Sequence, residues 1–185
     1  MSQTLGDLDH QAIDSLAGVV YAAWRKDQLV STLGNGGSAS TASHFVADLV
    51  KTAAVDGQKR LRAICLSDNI GLLTAIGNDI HYGDTFQYPL EAFARPGDTL
   101  IAISASGNSP NVVRACEFAL TNGVQTVALT GFTGGAIGDM ADLHVNVPSC
   151  NYGIIEDLHL AIGHMITQSL KARILSDCDS SNPAT

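Results

Sequence analysis

Two pairs of ionisable side chains have the spacing that chemistry on a helix requires. His44 and Asp48 are four residues apart, which places both on one helical face, one turn apart. Glu156 and His164 are eight residues apart, or about 80° around a helix, so they can share a broad face. Two imidazoles and two carboxylates are a ligand set that zinc accepts. These four residues form a candidate site for a divalent metal.

Ordinary structural roles compete with this interpretation. His44 and Asp48 also fit a solvated polar pair on a helix, and a histidine on an apolar helix is often a core residue. His159, three residues after Glu156, is a further candidate for which the core role is the stronger hypothesis.

A run of small polar residues, Ser104-Ala105-Ser106-Gly107-Asn108-Ser109, separates the apolar segment Thr99–Ile103 from a helical pattern that begins at Pro110. Backbone N–H groups and the positive end of a helix dipole attract anions at such a junction. Serine hydroxyls add neutral donors. The run therefore predicts a phosphate-binding loop, with a serine-rich capped turn as the structural alternative.

A second loop, Gly34-Asn35-Gly36-Gly37-Ser38, also follows an apolar run and precedes a helical pattern. Its glycines let the backbone approach a ligand closely, and Ser38 is a candidate N-cap. Ala39 stands where a dinucleotide fingerprint needs its third glycine, and no Walker lysine follows. A nicotinamide oxidoreductase is therefore disfavoured, and a tight strand-to-helix turn is the structural alternative.

Short apolar runs alternate with longer helical patterns along the chain, which predicts a doubly wound parallel sheet of the α/β class. Both loops then lie at the carboxyl ends of strands, where open α/β sheets bind ligands. The expected strands are Leu29–Leu33, Leu61–Leu66, Thr99–Ser104, Gln125–Thr130 and Leu143–Val147. The expected helices are Leu8–Lys26, Ser38–Ala53, Ile70–Gly77, Thr85–Ala94, Asn111–Asn122, Gly135–Met140 and Ile154–Leu175.

Length and composition set limits on the protein class. The 185 residues suffice for one domain, expected over residues 1–175 with a disordered tail over 176–185. A net charge of −8 argues against nucleic-acid binding, and no apolar stretch reaches membrane-spanning length. The polar start is no signal peptide, and the four cysteines lack CxxC spacing, so we expect reduced thiols and a cytoplasmic location.

In both loops and the run Val127-Ala128-Leu129-Thr130-Gly131 the chain resembles the sugar isomerase (SIS) domain, and within it the phosphoheptose isomerases. The similarity extends to about Ile174. It implies a single five-stranded SIS domain, a homotetramer, and sites built between subunits that bind a sugar phosphate. The substrate-binding positions it implies are Asn35, Gly36, Gly37, Ser38, Asp79, Ser104, Ala105, Ser106, Ser109 and Glu156.

The resemblance also implies roles for the ionisable residues. Phosphoheptose isomerases carry His-x-x-x-Glu and Gln-x₇-His pairs that bind a metal, so it implies that His44, Asp48, Glu156 and His164 hold a divalent ion, with zinc the expected metal. The Glu and the last His act as base and acid in the family, which assigns these roles to Asp48 and His164. Here the Glu position is an Asp, one methylene shorter, and the Gln position is Glu156.

The implied reaction is an aldose–ketose isomerisation through an enediol, with sedoheptulose 7-phosphate converted to glycero-manno-heptose 7-phosphate. The chain differs from the family pattern at three places that bear on the choice of substrate. Ala105 stands where the family often has Thr, Gly153 stands where it often has Asp, and no Arg follows shortly after Asp48. Two alternatives stay open. One is an isomerase of another sugar phosphate, and the other is a non-catalytic SIS protein that senses a sugar phosphate or binds a replication initiator.

Overall fold

The computed structural model describes the backbone of residues 2–181 and the side chains of residues 3–178. Its five strands are β1 (Leu29–Gly34), β2 (Arg62–Cys65), β3 (Thr99–Ile103), β4 (Gln125–Thr130) and β5 (Leu143–Asn146). Its α-helices are α1 (Ser2–Gly6), α2 (His10–Lys26), α3 (Gly37–Ala47), α4 (Ile70–Asp79), α5 (Gln87–Phe93), α6 (Pro110–Thr121), α7 (Gly135–Met140) and α8 (Tyr152–Ser181).

The strands form one parallel sheet in the order β2-β1-β3-β4-β5. This confirms the predicted five-stranded, doubly wound architecture, and each strand agrees with its predicted bounds to within one residue at either end. The chain leaves β1 toward β2 on one side and returns to β3 on the other. The crevice between the carboxyl ends of β1 and β3 is therefore the topological switch point, where such sheets bind ligands.

The sheet is buried on both faces, because neighbouring residues of a strand point to opposite sides. Ile101 and Ile103 pack into the core beneath α2, α3 and α8. Leu100 and Ala102 pack into the opposite core, which α5, α6 and α7 cover. This double burial explains why the strands have nearly continuous apolar sequences.

Local signals explain the ends of α2. The Asp9 carboxylate accepts hydrogen bonds from the backbone N–H groups of Gln11 and Ala12, and Asp27 ends the helix in the left-handed conformation. The apolar face that includes Leu16 and Val20 is fully buried. The helix predicted over Leu8–Lys26 is confirmed, and it begins at His10.

Three helical segments differ from the prediction. The helix after β1 stops being α-helical at Ala47 and continues as a π-helix over Asp48–Thr52. The last helix continues to Ser181 and not to Leu175, so residues 176–181 are helical and not a structureless tail. Residues 182–185 of the predicted tail lie outside the described residues. The short helix α1 was not predicted.

All four cysteines, Cys65, Cys116, Cys150 and Cys178, are free thiols, as their spacing predicted. Burial raises the pKa of the Cys116 thiol to about 12, which keeps it protonated and unreactive. No helix in the part of the chain described here has the length and apolar character needed to cross a membrane.

Candidate active site

Three ionisable side chains converge where α3 meets α8. The Nε2 atoms of His44 and His164 are 3.1 Å apart. Asp48 Oδ2 lies 3.4 Å from His44 Nε2 and 3.6 Å from His164 Nε2. One potential ligand atom from each residue lies within 4.8 Å of the others. The loop Gly34–Ser38 is called the glycine loop. The helix that follows it and the last helix of the chain thus contribute to one centre.

The spacing of these donors fits a divalent metal. Zinc bonds of about 2.0–2.2 Å in a tetrahedral arrangement separate neighbouring ligand atoms by about 3.3–3.5 Å. The three distances in the cluster, 3.1, 3.4 and 3.6 Å, lie around this value. Two imidazole nitrogens and a carboxylate are also a common zinc donor set. His44, Asp48 and His164 could therefore hold the ion that the sequence predicted.

Close packing of two helices sets this geometry. Gly163 on α8 is buried, and a Cβ atom added there would lie 3.4 Å from the ring of Phe45 on α3. Each of these two residues is the chain neighbour of one of the clustered histidines. The contact between a glycine and a buried aromatic ring thus lets the helices approach until their histidines meet.

The π-helical turn orients the carboxylate. Asp48 begins the π-helix, and the Thr52 hydroxyl donates a 2.8 Å hydrogen bond to Asp48 Oδ1. Oδ2 remains directed at the two imidazoles. Such π-helical turns often occur at functional sites, because they change which side chains face a ligand. No arginine is among the residues Val50, Lys51 and Thr52 that follow Asp48, and the Thr52 hydroxyl bonds its carboxylate.

The two predicted loops line one small cavity of about 170 Å³. Serine hydroxyls dominate its wall, and no lysine or arginine is among the described residues that line it. The lining residues are Asn35, Ser38, Ser104, Ala105, Ser106, Ser109, Tyr152 and Glu156. Below, this space is called the serine cavity. The two loops therefore share one cavity whose serine hydroxyls are available as hydrogen-bond donors.

The run Ser104–Ser109, called the serine loop, is held in place by a neighbouring loop. Gly107 has a φ of +66°, and a Cβ atom there would lie 1.9 Å from the carbonyl oxygen of Gly134. The Asn108 side chain accepts a hydrogen bond from Ala136 N, and Ile137 N donates to Gly107 O. Only glycine fits at position 107, since any side chain would meet backbone atoms.

The structure places two predicted site residues away from the three-residue cluster. Glu156 lies in the serine cavity with its carboxylate against Gly37, where an added Cβ would come within 2.5 Å of it. It is not among the described residues whose ligand atoms converge at His44. Asp79 is exposed at the end of α4, accepts a hydrogen bond from Asn78, and lines neither site. Gly36 and Gly37 form the exposed start of α3.

Some site residues were not predicted from the sequence. Tyr152 lies in the serine cavity and packs edge-on against Phe132, with ring centroids 4.9 Å apart. Asn111 is buried and joined to Asn35 by two hydrogen bonds. A signal for Asn111 was its position two residues after Ser109, where the serine-rich run ends. Nothing local distinguishes Tyr152 from an ordinary exposed tyrosine.

His159 belongs to the core and not to the cluster, which agrees with the structural role favoured from the sequence. It is 1% exposed, and its Nε2 atom lies 2.9 Å from the carbonyl oxygen of Thr130. Burial lowers the pKa of His159 to about 4. The ring is neutral near pH 7 and donates one proton to this carbonyl.

Comparisons with known proteins agree on one family. Residues 2–131 match the SIS domain family model. Over 155 residues the chain is 41% identical to the phosphoheptose isomerase of Rhodospirillum rubrum, covering 84% of this chain and 82% of that protein. The phosphoheptose isomerase structure from Neisseria gonorrhoeae superposes with a TM-score of 0.82 at 32% identity, covering 88% and 86% of the two chains.

A relative with a different described role is also similar. The chain is 38% identical over 170 residues to the lincomycin biosynthesis protein LmbN of Streptomyces lincolnensis. The match covers 86% of this chain, which spans 62% of the length of that protein.

Proposed function

We propose that this chain, which belongs to the SIS domain family and within it to the phosphoheptose isomerases, isomerises sedoheptulose 7-phosphate to glycero-manno-heptose 7-phosphate. One observation carries the proposal: His44, Asp48 and His164 converge in a chain that also forms a serine-lined cavity for an anion. A protein that only sensed a sugar phosphate would need the second feature and not the first. The identity of about 40% with named phosphoheptose isomerases supports sedoheptulose 7-phosphate as the substrate.

The reaction moves one proton between neighbouring carbons. Asp48 is the proposed base that removes a proton from C1 of the ketose, and His164 the proposed acid that protonates the C2 carbonyl oxygen, which gives the 1,2-enediol. Asp48 then returns its proton to C2, and the O1 hydroxyl gives its proton to His164 as the C1 aldehyde forms. Both residues thereby regain their starting protonation states.

A bound divalent ion, which we propose to be zinc, would act as a Lewis acid that stabilises negative charge on the substrate oxygens. His44, Asp48 and His164 are the proposed ligands, and Glu156 is a further ligand proposed from the family pattern. Thr52 fixes one carboxylate oxygen of Asp48 and so leaves the other available at the cluster.

The serine cavity anchors the far end of the substrate. Serine hydroxyls and the amino-terminal end of α6 are suited to a phosphate. Anchoring takes no part in proton transfer but holds the reacting carbons in place, which can supply several kcal/mol of the rate enhancement. We propose phosphate contacts from Ser104, Ser106 and Ser109, and sugar contacts from Asn35, Ser38 and Asp79. Gly36, Gly37 and Ala105 are proposed as backbone contacts.

We also propose a homotetramer in the cytoplasm. The side chains of His44 and His164 are 51% and 46% exposed, and an open groove of about 520 Å³ runs beside His44. A neighbouring subunit that covered this groove would exclude water from the cluster. Four free thiols fit a reducing compartment.

The test is an assay of purified protein on sedoheptulose 7-phosphate and on a panel of five- to seven-carbon sugar phosphates, with added zinc and with a chelator. We expect conversion of the heptulose phosphate that the chelator abolishes and zinc restores. Binding of the sugar phosphates without turnover of any would refute the isomerase and favour a sensor.

A second candidate has its own support. Similarity to a lincomycin biosynthesis protein favours an isomerase of the same mechanism in the formation of a secondary metabolite. The same substrate panel separates the two, since this alternative predicts a higher kcat/KM for a phosphorylated sugar other than sedoheptulose 7-phosphate.

A further inference from the structure

A closed hydrogen-bond network fixes the orientation of the Asn35 side chain. Asn35 Nδ2 donates to Asn111 Oδ1 at 2.9 Å, and Asn111 Nδ2 donates to Asn35 Oδ1 at 3.0 Å. The Tyr82 hydroxyl also donates to Asn35 Oδ1, at 3.0 Å. Two amides thus face each other as a reciprocal pair.

The orientation of Asn111 is determined independently of Asn35. Its second Nδ2 hydrogen goes to the Thr85 hydroxyl oxygen at 3.0 Å. That hydroxyl gives its own hydrogen to the carbonyl oxygen of Tyr82 at 2.9 Å, so it can only accept from Asn111. Asn111 Oδ1 additionally accepts from the backbone N–H of Val112. Asn111 therefore uses both donors and both acceptor sites, and a rotated amide would lose these bonds.

Asn35 has one N–H left to offer a ligand. Its oxygen accepts two hydrogen bonds, one of its Nδ2 hydrogens goes to Asn111, and the other has no acceptor among the described residues. Asn35 lines the serine cavity. The group it can offer there is an N–H donor and not a carbonyl oxygen.

We propose that Asn111 is a positioning residue that makes Asn35 present an N–H donor to an oxygen of the bound sugar phosphate. The inference rests on the proposed function for its ligand. Asn111 is 1% exposed and lies two residues after Ser109 of the serine loop, whereas Asn35 belongs to the glycine loop. The pair therefore also sets the distance between the part of the site that holds the phosphate and the part that holds the sugar.

The test is a calorimetric measurement of how tightly chelator-treated protein binds two probes, sedoheptulose 7-phosphate and inorganic phosphate. We expect Asn111→Ala and Asn35→Ala each to weaken sugar-phosphate binding about tenfold, the usual effect of one lost hydrogen bond. The double variant should be no weaker than either single variant, because Asn111 acts through Asn35. Inorganic phosphate should bind within twofold of wild type throughout.

Two more variants test the donor and the fold. Asn35→Asp offers only oxygens and should bind the sugar phosphate more weakly than Asn35→Ala. Asn122→Asp, at the other end of α6, is the matched control and should bind both probes as wild type does. Melting temperatures show whether each variant is folded, and Asn111→Ser replaces Asn111→Ala if the latter is not.

Additive losses in the double variant, equal weakening of both probes in the alanine variants, or full sugar-phosphate affinity in Asn35→Asp would overturn the proposal. Wild-type protein that binds the sugar phosphate no more tightly than inorganic phosphate would also overturn it. Failure of the proposed function looks different, since a wild type that binds the sugar phosphate without converting it refutes the isomerase and leaves the binding comparison intact.

Discussion

His44 and His164 are 120 residues apart in the chain, yet their Nε2 atoms are 3.1 Å apart. A metal ion in a tetrahedral site needs more ligands than the two imidazole nitrogens or the Asp48 carboxylate would supply alone. Together with Asp48 they make a donor set with the spacing of a zinc site.

Removal of one member of this cluster should abolish catalysis. We expect His164→Ala to lower kcat about 100-fold or more, since it removes both the proposed acid and a proposed metal ligand. Zinc content after dialysis should fall in parallel. His10→Ala removes an exposed histidine on α2 and is the matched control. Full activity in His164→Ala would contradict the assigned role.

Thr52→Val tests the orientation of Asp48. The substitution keeps the shape of the side chain and removes the hydroxyl that donates to Asp48 Oδ1. We expect zinc affinity, measured by competition with a chromophoric chelator, to fall about tenfold, as for other partners of metal ligands. Thr52→Ser should restore it. Thr74→Val removes a hydroxyl on α4 that bonds the carbonyl oxygen of Ile70 and no residue of the cluster, so it should leave zinc binding unchanged.

Glu156→Gln distinguishes two roles for this residue. If the carboxylate acts where the structure places it, in a cavity lined by serines, its removal should tighten inorganic phosphate binding about threefold to tenfold by removing like-charge repulsion. Zinc affinity should then stay unchanged. A tenfold loss of zinc affinity with no gain for phosphate would instead support the ligand role expected from the family pattern.

Gly107→Ala should destabilise the protein and weaken phosphate binding. The added Cβ meets the backbone of Gly134 and must displace the serine loop. Gly57→Ala is the control, because Gly57 also has a positive φ but open space around it. Urea denaturation should show that Gly107→Ala costs about 2 kcal/mol more than Gly57→Ala. Equal costs would show that the loops move apart easily.

Stability should fall in mild acid because of His159. The pKa of this buried histidine is about 4 in the folded protein against 6.5 for an exposed one. Between these values the unfolded state binds more protons, so lowering the pH from 6.5 to 4 removes up to about 3 kcal/mol of stability, all of which is present above pH 6.5.

His159→Gln provides the comparison, since its amide can still donate to Thr130 and does not titrate. Burial also lowers the pKa of His144, so the variant should keep a weaker slope of the same sign. Unfolding free energies measured from pH 4 to 7.5 check this. An unchanged slope in the variant would exclude His159 as its cause.

The sequence was informative wherever the signal is local. Strand positions follow from apolar runs buried on both faces, and the serine and glycine loops follow from where those runs end. The four-residue spacing of His44 and Asp48 predicted one shared helical face, although the π-helical turn that orients Asp48 leaves no comparable pattern.

By itself, then, the sequence determined the sheet, its ligand-binding edge and the kinds of side chain available there. Tertiary structure alone decided which of these side chains lie in contact. The contact of Gly163 with Phe45 brings His164 to His44, while Glu156, on the same helix, reaches the serine cavity. Asn111 is polar, yet it is buried because Asn35 and Thr85 satisfy its amide. The physical reason is that helical periodicity depends on neighbours within one turn, whereas these pairings depend on how closely whole helices pack.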